Sequence, residues 1–147
     1  MTQLSQQSQK VLSGCVVRNE VGEYLLVCEG NLKFRGLWSV PVGHAESGET
    51  LQQTAERETT EETGYTVRAG KELTLQDNQT PDYIVHIFTS IIIGGQLRVE
   101  PELLDVAWKS YAELTRMRAA GQLRAPWTWQ AIQVVQQMSR RSRVLLS

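Results

Sequence analysis

Hydrophobic residues along this chain fall into short continuous runs, which predict strands, and into segments at helical spacing. Residues 10–18 and 23–29 are aliphatic or β-branched, and the turn signal Asn-Glu-Val-Gly between them predicts a hairpin. Residues 65–77 and 82–93 also predict extended structure, with a polar break between them. We expect these two later strands to pair with each other.

The segment at residues 50–63 has the end signals of a helix. Thr50 and Gln53 stand at capping-box spacing, so each side chain can accept a hydrogen bond from the other residue's backbone N–H. Gly64 can adopt the left-handed conformation that ends a helix. The pattern therefore predicts a helix of about four turns in the middle of the chain.

Two further helices are predicted near the C-terminus. Ser110 and Glu113 form a second capping box, for a short helix that ends near Gly121, and Pro126 can open a helix over residues 126–139. Three arginines, Arg140, Arg141 and Arg143, follow its predicted end and are interpreted as a solvated tail, with phosphate binding as the alternative. Strands on both sides of a central helix predict an α/β fold with a mixed β-sheet between helices.

Acidic residues in the central helix conflict with the rules for a solvated helix. At about 100° per residue, Leu51, Ala55, Glu58 and Glu62 share one stripe, and Glu61 lies at its edge. These glutamates also sit in the last turns, where the helix dipole favours cations. A glutamate-rich helix is usually a solvated face, but here the opposite face is already polar. We therefore expect the carboxylates to point inward and to hold a hard divalent cation, Mg²⁺ or Mn²⁺.

Composition limits the protein to a few classes. A length of 147 residues with 41% hydrophobic content predicts one domain over residues 1–147, with residues 1–9 as a frayed polar terminus. The net charge of −1 hides an acidic segment, residues 46–62, whose six Glu and one Arg give −5 and leave +4 for the rest. This distribution predicts an acidic pocket for an anionic substrate and no dedicated nucleic-acid-binding surface.

Cysteine usage and the N-terminal residues bear on location. Cys15 and Cys28 lie in predicted strands without zinc-ligand companions, which indicates buried thiols in a reducing compartment. The first ten residues lack the apolar core of a signal peptide, and no stretch is long enough to cross a bilayer. We expect a cytoplasmic protein without a membrane partner.

The spacing of the central segment resembles a known signature. Gly43, Glu49, Arg57-Glu58, Glu61-Glu62 and Gly64 fill all the fixed positions of the Nudix box, the signature of the Nudix hydrolase family. Departures are confined to Thr59 and Tyr65, where the box prefers aliphatic residues, and to Val42 in place of a first glycine. The resemblance implies an α/β/α sandwich and hydrolysis of nucleoside diphosphates linked to another moiety, including nucleoside triphosphates, with Mg²⁺ or Mn²⁺.

The resemblance also implies roles for individual residues. Glu58, Glu61 and Glu62 match the metal-binding carboxylates, and the backbone carbonyl of Val42 is a further ligand candidate. Glu61 and Glu62 would act in catalysis, Glu61 either as a ligand through water or as the general base. Arg57 and Glu49 match an ion pair that holds loop and helix together, with Gly43 and Gly64 in support.

Other candidates come from outside the box. Glu102 and Asp105 are alternative general bases, because some members carry the base on a later loop. Lys33 and Arg35 precede Trp38 in a loop and could hold phosphate oxygens, with ordinary surface charge as the alternative. Tyr83 and His86 face opposite sides of a strand, so one of them can reach the pocket.

The leading hypothesis is a Mg²⁺-dependent phosphoanhydride hydrolase acting on a small soluble nucleotide, with water as the nucleophile. One alternative is a Nudix-fold module that senses a nucleotide without cleaving it. Another is a structural cation site in an unrelated domain. The sequence leaves open the nucleoside, the bond that breaks, and whether the chain forms a homodimer.

Overall fold

The computed structural model describes residues 9–146, with side chains as far as residue 142. Within this range the strands and helices are β1 Lys10–Val16, β2 Tyr24–Cys28, β3 Trp38–Ser39, β4 Val42–His44, α1 Leu51–Thr63, β5 Tyr65–Glu72, β6 Tyr83–Gly95, β7 Asp105–Lys109, α2 Tyr111–Ala119 and α3 Ala125–Leu146. None of these helices combines the length and hydropathy of a membrane span. The predicted frayed terminus, residues 1–9, lies outside the described residues except for Gln9.

The strands divide between two sheets. A four-stranded mixed sheet has the order β4-β1-β6-β5, in which β1 and β6 run parallel and the other pairs are antiparallel. A three-stranded antiparallel sheet has the order β3-β2-β7. The predicted pairing of β5 with β6 is confirmed, as is the α/β class with a mixed sheet.

The predicted N-terminal hairpin is correct only at its turn. Residues 19–22 close the turn, and Leu25 N–H donates to the Val17 carbonyl at 3.0 Å. Beyond that point the strands separate, because β1 continues between β4 and β6 while β2 joins the other sheet. The strands separate because β1 pairs with β6 and β2 pairs with β7, and a local sequence pattern does not reveal pairings between residues so far apart.

Side chains on the two faces of the strand layer build two cores. The first cluster packs against α3 and includes Leu12, Val16, Tyr24, Leu26, Val85, Ile87, Trp127 and Ile132. The second packs against α1 and includes Cys15, Val17, Leu25, Val27, Ala55, Val67, Phe88 and Val106. Alternate residues of β1 and β2 thus serve opposite cores, as the twofold repeat of a strand requires.

Both predicted capping boxes are present. Thr50 Oγ1 accepts from Gln53 N–H at 3.1 Å while Gln53 Oε1 accepts from Thr50 N–H at 2.9 Å, and Ser110 with Glu113 makes the equivalent pair. Gly64 ends α1 at a φ of 84°. These local signals fix where α1 and α2 begin, which in turn fixes the position of the glutamates of α1.

The C-terminal helix is longer than predicted. It runs to Leu146, so Arg140, Arg141 and Arg143 lie within α3 rather than after its end. The interpretation of these arginines as a tail is therefore wrong. The sequence after residue 139 contains no proline or glycine, so nothing in it stops the helix.

Candidate active site

A cavity of about 630 Å³ opens where β4, the C-terminal half of α1 and the loop before β7 meet. Its acidic lining residues are Glu29, Glu58, Glu61, Glu62, Asp82, Glu100 and Glu102. The cationic and aromatic lining residues are Lys10, Lys33, Arg124, Phe34 and Tyr83. The cavity therefore combines an acidic wall with cations and aromatic rings in one space, a combination that suits a metal-bound phosphate compound.

The glutamates of α1 differ sharply in their exposure. Glu62 is buried, with 8% of its surface exposed, whereas the Glu61 side chain is 53% exposed. Burial raises the pKa of the Glu62 carboxyl well above its usual value, and the charges of Glu58 and Glu29 raise it further. A buried acid among like charges is an arrangement that a bound cation would stabilise.

The predicted stripe of α1 is correct for Glu62 and Ala55 but misses part of the buried face. Thr59 and Thr63 are fully buried, although Thr63 lies opposite the stripe at about 100° per residue. The last turn of α1 is covered by the segment after β6, because Arg98 N–H donates to the Thr63 carbonyl at 2.9 Å. This tertiary contact buries a side that the helical pattern marks as solvent-facing.

Arg57 connects the loop before α1 to the glutamates. Its Nε donates to Glu49 Oε2 at 2.6 Å, and its Nη1 donates to Glu58 Oε1 at 2.9 Å and to Glu61 Oε2 at 3.2 Å. A further bond reaches the His44 carbonyl at 3.0 Å. The Arg57 guanidinium lowers the pKa of Glu49 to about 2. The Arg57–Glu49 pair thus has the geometry that the family resemblance implies.

Gly43 leaves the space that the Glu58 side chain occupies. A Cβ at this position would overlap the Glu58 carboxylate, while the backbone of Gly43 is not in the left-handed region. Glycine is needed here for close approach and not for its conformational freedom. Val42 and His44 on either side also line the cavity.

The structure brings some of the candidates outside the box to the cavity and leaves others away from it. Glu102 and Lys33 line the cavity, although Lys33 is largely exposed and pairs with Asp82 at 3.6 Å. Arg35 is not among the lining residues, and its Nη1 donates to the Gly30 carbonyl at 3.0 Å. Asp105 is also absent from the lining, because it begins β7 opposite Cys28 and accepts from Val106 N–H at 2.8 Å.

Sequence reasoning missed several lining residues. Glu29 and Arg124 form a buried ion pair at 3.3 Å across 95 positions of sequence, and Phe34 and Glu100 were not assigned a role. Of the two candidates on β6, Tyr83 reaches the cavity, while His86 pairs with Glu72 at 2.7 Å. Alternation along the strand placed Tyr83 and His86 on opposite sides, as the structure shows, but no local signal links Glu29 to Arg124.

The carboxylates at the end of α1 form a possible donor set for a divalent cation. Among the residues that the structure describes, no three His, Cys, Asp or Glu side chains are already gathered as a metal-binding group. Glu58 and Glu61 each give one oxygen to Arg57, and Glu62 is buried beside Glu58. The donors are all oxygen and their charge is only partly compensated, which fits Mg²⁺ or Mn²⁺ once the carboxylates close on one point.

An acidic cavity at the end of one capped helix, set in an α/β fold with a mixed sheet, is the arrangement of a Nudix domain. The family model described as NUDIX domain matches residues 9–130. The chain therefore belongs to the Nudix hydrolase family, and the family resemblance predicted from residues 43–65 is confirmed.

Two curated relatives and one solved structure illustrate the similarity. The chain is 35% identical over 108 residues to putative nudix hydrolase 1 of Caenorhabditis elegans, covering 71% of this chain and 29% of the relative. It is 31% identical over 109 residues to the human 8-oxo-dGDP phosphatase NUDT18, covering 71% of this chain and 33% of the relative. The chain thus spans about a third of the length of these relatives. A NUDIX hydrolase structure from Nitrosomonas europaea superposes with a TM-score of 0.68 at 26% identity, covering 85% of this chain and 86% of that one.

Proposed function

We propose that this protein hydrolyses a phosphoanhydride bond of a nucleoside di- or triphosphate, or of a related nucleoside diphosphate derivative. The single observation that carries the proposal is the cavity in which the buried Glu62 and its neighbours Glu58 and Glu61 share one space with Arg124 and Phe34. The human relative is an 8-oxo-dGDP phosphatase, an activity of the same chemical class.

The acidic wall is where a divalent ion would bind. Glu58, Glu61 and Glu62 would hold Mg²⁺ or Mn²⁺ with their carboxylate oxygens, and the Val42 carbonyl is a further donor candidate. A bound ion supplies positive charge for phosphate oxygens and lowers the pKa of a water molecule. Arg57 would orient Glu58 and Glu61, since one guanidinium nitrogen contacts both.

The reaction needs a water molecule, a proton acceptor and a leaving phosphate. The water oxygen forms a bond to phosphorus, the bridging P–O bond breaks, and its electrons leave with the departing phosphate. Glu61 and Glu102 are the candidates to accept the water proton, because both line the cavity and both are exposed enough to reach solvent. Asp105 is not proposed as a base, because it lies away from the cavity.

A turnover assay tests this function directly. Purified protein is incubated with Mg²⁺ and a panel of nucleoside di- and triphosphates, nucleotide sugars and dinucleotides, and the products are resolved as phosphate, pyrophosphate or nucleotide. We expect hydrolysis that EDTA abolishes and that Glu58→Gln and Glu62→Gln each lower at least about 100-fold. A Gln52→Ala variant, on the exposed face of α1, is the matched control and should keep its activity.

The same assay decides between hydrolysis and the alternative of a nucleotide-sensing module. Binding of nucleotides without turnover of any panel member, at saturating Mg²⁺, would contradict the hydrolase proposal. Unchanged turnover in both Glu58→Gln and Glu62→Gln would contradict the assignment of the metal ligands. The cytoplasmic location and the single domain stay predictions.

A further inference from the structure

Arg124 places a buried cation in the wall of the cavity, directly before α3. The residue is 8% exposed and is counted among the lining residues. Its backbone N–H donates to the Trp38 carbonyl of β3 at 2.7 Å, which fixes the position of its Cα. The nearby Lys33, in contrast, has a side chain that is 67% exposed. Arg124 is therefore a cation that already lacks most of its hydration.

Three aromatic rings hold the Arg124 guanidinium in place. Its central carbon lies 3.9 Å from the ring centroid of Phe34, 5.4 Å from that of Trp127 and 5.8 Å from that of Tyr83. Ring faces stabilise the positive charge and fix the plane of the group, but they accept no hydrogen bond in that plane. The N–H groups at the edge of the guanidinium must find oxygen atoms elsewhere.

The protein supplies those oxygens only in part. Arg124 Nη1 donates to Glu29 Oε2 at 3.3 Å, which is long for a charged hydrogen bond, and Nε is buried with no hydrogen-bond partner. The other oxygen of Glu29 accepts from Asn31 Nδ2 at 3.1 Å. An unpaired buried donor on a charged group is costly unless a ligand satisfies it. Arg124 therefore has N–H donors that the protein does not satisfy and that an anion with several oxygen atoms could bind.

We propose that Arg124 binds the terminal phosphate of the substrate and thereby selects nucleoside di- or triphosphates over diphosphates that are esterified at both ends. This inference rests on the proposed function of the same cavity. A terminal phosphate has three free oxygens and up to two charges, so it can accept two parallel N–H bonds from a guanidinium. In a nucleotide sugar or a dinucleotide both phosphates are bridged, and neither presents this group.

The position of Glu29 supports a phosphate chain that runs from the acidic wall to Arg124. Glu29 and Glu62 line the same cavity, and Glu29 is the ion-pair partner of Arg124, so Arg124 contacts one of the acids of that cavity directly. The phosphate nearest the ion would lie at the acidic wall. The terminal phosphate would reach Arg124 and compete with Glu29 for it.

Binding of uncleavable analogues tests the proposal independently of turnover. Calorimetry at saturating Mg²⁺ compares α,β-methylene-ADP, which has a terminal phosphate, with α,β-methylene-ADP-ribose, which has none. For Arg124→Lys we expect at least a tenfold weaker affinity for the first compound and a change of less than about threefold for the second, because lysine cannot donate two parallel bonds. Arg118→Ala, which removes an arginine from the Trp129 ring outside the cavity, is the matched control.

Glu29→Gln separates a phosphate-binding role from a structural one. If the Glu29–Arg124 pair only supports the fold, Glu29→Gln and Arg124→Lys should weaken α,β-methylene-ADP binding alike. If Arg124 binds phosphate, Glu29→Gln should keep the affinity or tighten it, since the competing carboxylate is gone. Should Arg124→Lys fail to fold, Glu29→Gln/Arg124→Gln, which buries no unpaired charge, is compared with Glu29→Gln alone.

Each result supports or overturns the inference. Selective loss of α,β-methylene-ADP binding in the Arg124 variants, with Glu29→Gln unharmed, supports it. Equal loss of both analogues, parallel loss in the Glu29 and Arg124 variants, or no binding of α,β-methylene-ADP to the unaltered protein overturns it. Because neither analogue is cleaved at its bridge, a protein that binds them in this pattern but hydrolyses nothing would retain the Arg124 site and refute only the hydrolase proposal.

Discussion

Gly43→Ala is the substitution that tests most directly whether the position of Glu58 matters to the chemistry. The added Cβ would overlap the Glu58 carboxylate, which packs directly against the Gly43 backbone. The backbone of Gly43 lies outside the left-handed region, so alanine adopts it without strain. The substitution therefore displaces one functional side chain and leaves the strand itself undisturbed.

The size of the displacement follows from ordinary contact distances. Carbon atoms pack at about 3.5 Å, so the Glu58 carboxylate has to move on the order of 1 Å to admit the new methyl group. A misplacement of about 1 Å in an active site lowers rates by about 100-fold, equivalent to about 2.7 kcal/mol of transition-state stabilisation. The stability effect is small, because alanine in a strand gains about 0.5–1 kcal/mol over glycine and the overlap offsets that gain.

The assay measures kcat/KM with Mg²⁺ for the best substrate of the panel and the melting temperature of the same preparation. For Gly43→Ala we expect about a 100-fold loss of kcat/KM with a Tm change below about 5 °C. Gly121→Ala is the matched control: Gly121 has a φ of 71° and open space around it. Alanine there should cost about 1–2 kcal/mol of stability and leave kcat/KM unchanged. If Gly43→Ala keeps more than a third of the activity while the control behaves as expected, the placement of Glu58 against Gly43 is irrelevant to turnover.

Three further predictions concern titratable groups. Glu62→Gln should abolish most turnover yet raise the Tm of the metal-free protein at pH 7. The pKa of Glu62 is raised in the folded protein, so the unaltered protein loses stability as the pH rises from 4.5 through that folded-state pKa, and glutamine removes this loss. An unchanged or lower Tm would contradict this. Arg57 lowers the pKa of Glu49 to about 2, so the contribution of Glu49 to stability is complete above about pH 4.5 and is lost as the pH falls through 2. The difference in unfolding free energy between the unaltered protein and Glu49→Gln should therefore shrink over that pH range. A constant difference would count against the ion pair. Burial raises the pKa of the Cys15 thiol to about 11, so iodoacetamide at pH 8 should label Cys15 only after the protein unfolds. Mass spectrometry measures the labelling, and rapid labelling of the folded protein would place the thiol at the surface.

Local signals in the sequence predicted the elements that carry the glutamates. The capping box at Thr50 and Gln53 and the left-handed Gly64 involve residues a few positions apart, so their geometry is encoded within α1 itself. The direction of Glu62 followed from the helical repeat. These are the features that a pattern of neighbouring residues can specify, and the structure reproduces them.

Contacts between segments far apart in sequence could not be predicted from patterns of neighbouring residues. The parallel pairing of β1 with β6 joins Lys10 to Tyr83, and it separates β1 from β2 after the turn. The same long-range packing brings Arg124 to Glu29 and leaves Asp105 in a strand away from the cavity. Glu102 and Asp105 are both acidic, so the sequence alone does not distinguish them as candidate bases. Only the register of β7 with β2 decides which of them reaches the cavity.

The distribution of partners among the acids near α1 indicates where a cation would bind. Glu49, Glu58 and Glu61 each accept a hydrogen bond from Arg57, and Glu56 accepts from the Ala69 N–H at 2.8 Å. No ion pair to Glu62 occurs among the residues that the structure describes.

The last turn of α1 contains no basic residue, so the helix dipole adds to the unfavourable potential at Glu62. Glu62 is thus a buried carboxyl beside the cavity whose ionised form is unfavourable, as its raised pKa reflects. A divalent ion that entered the cavity would gain most by binding there, and the other acids of the wall would have to leave Arg57 to join it. Competition between Arg57 and the ion for Glu58 and Glu61 would make metal affinity sensitive to Arg57, even though this arginine ligates nothing itself.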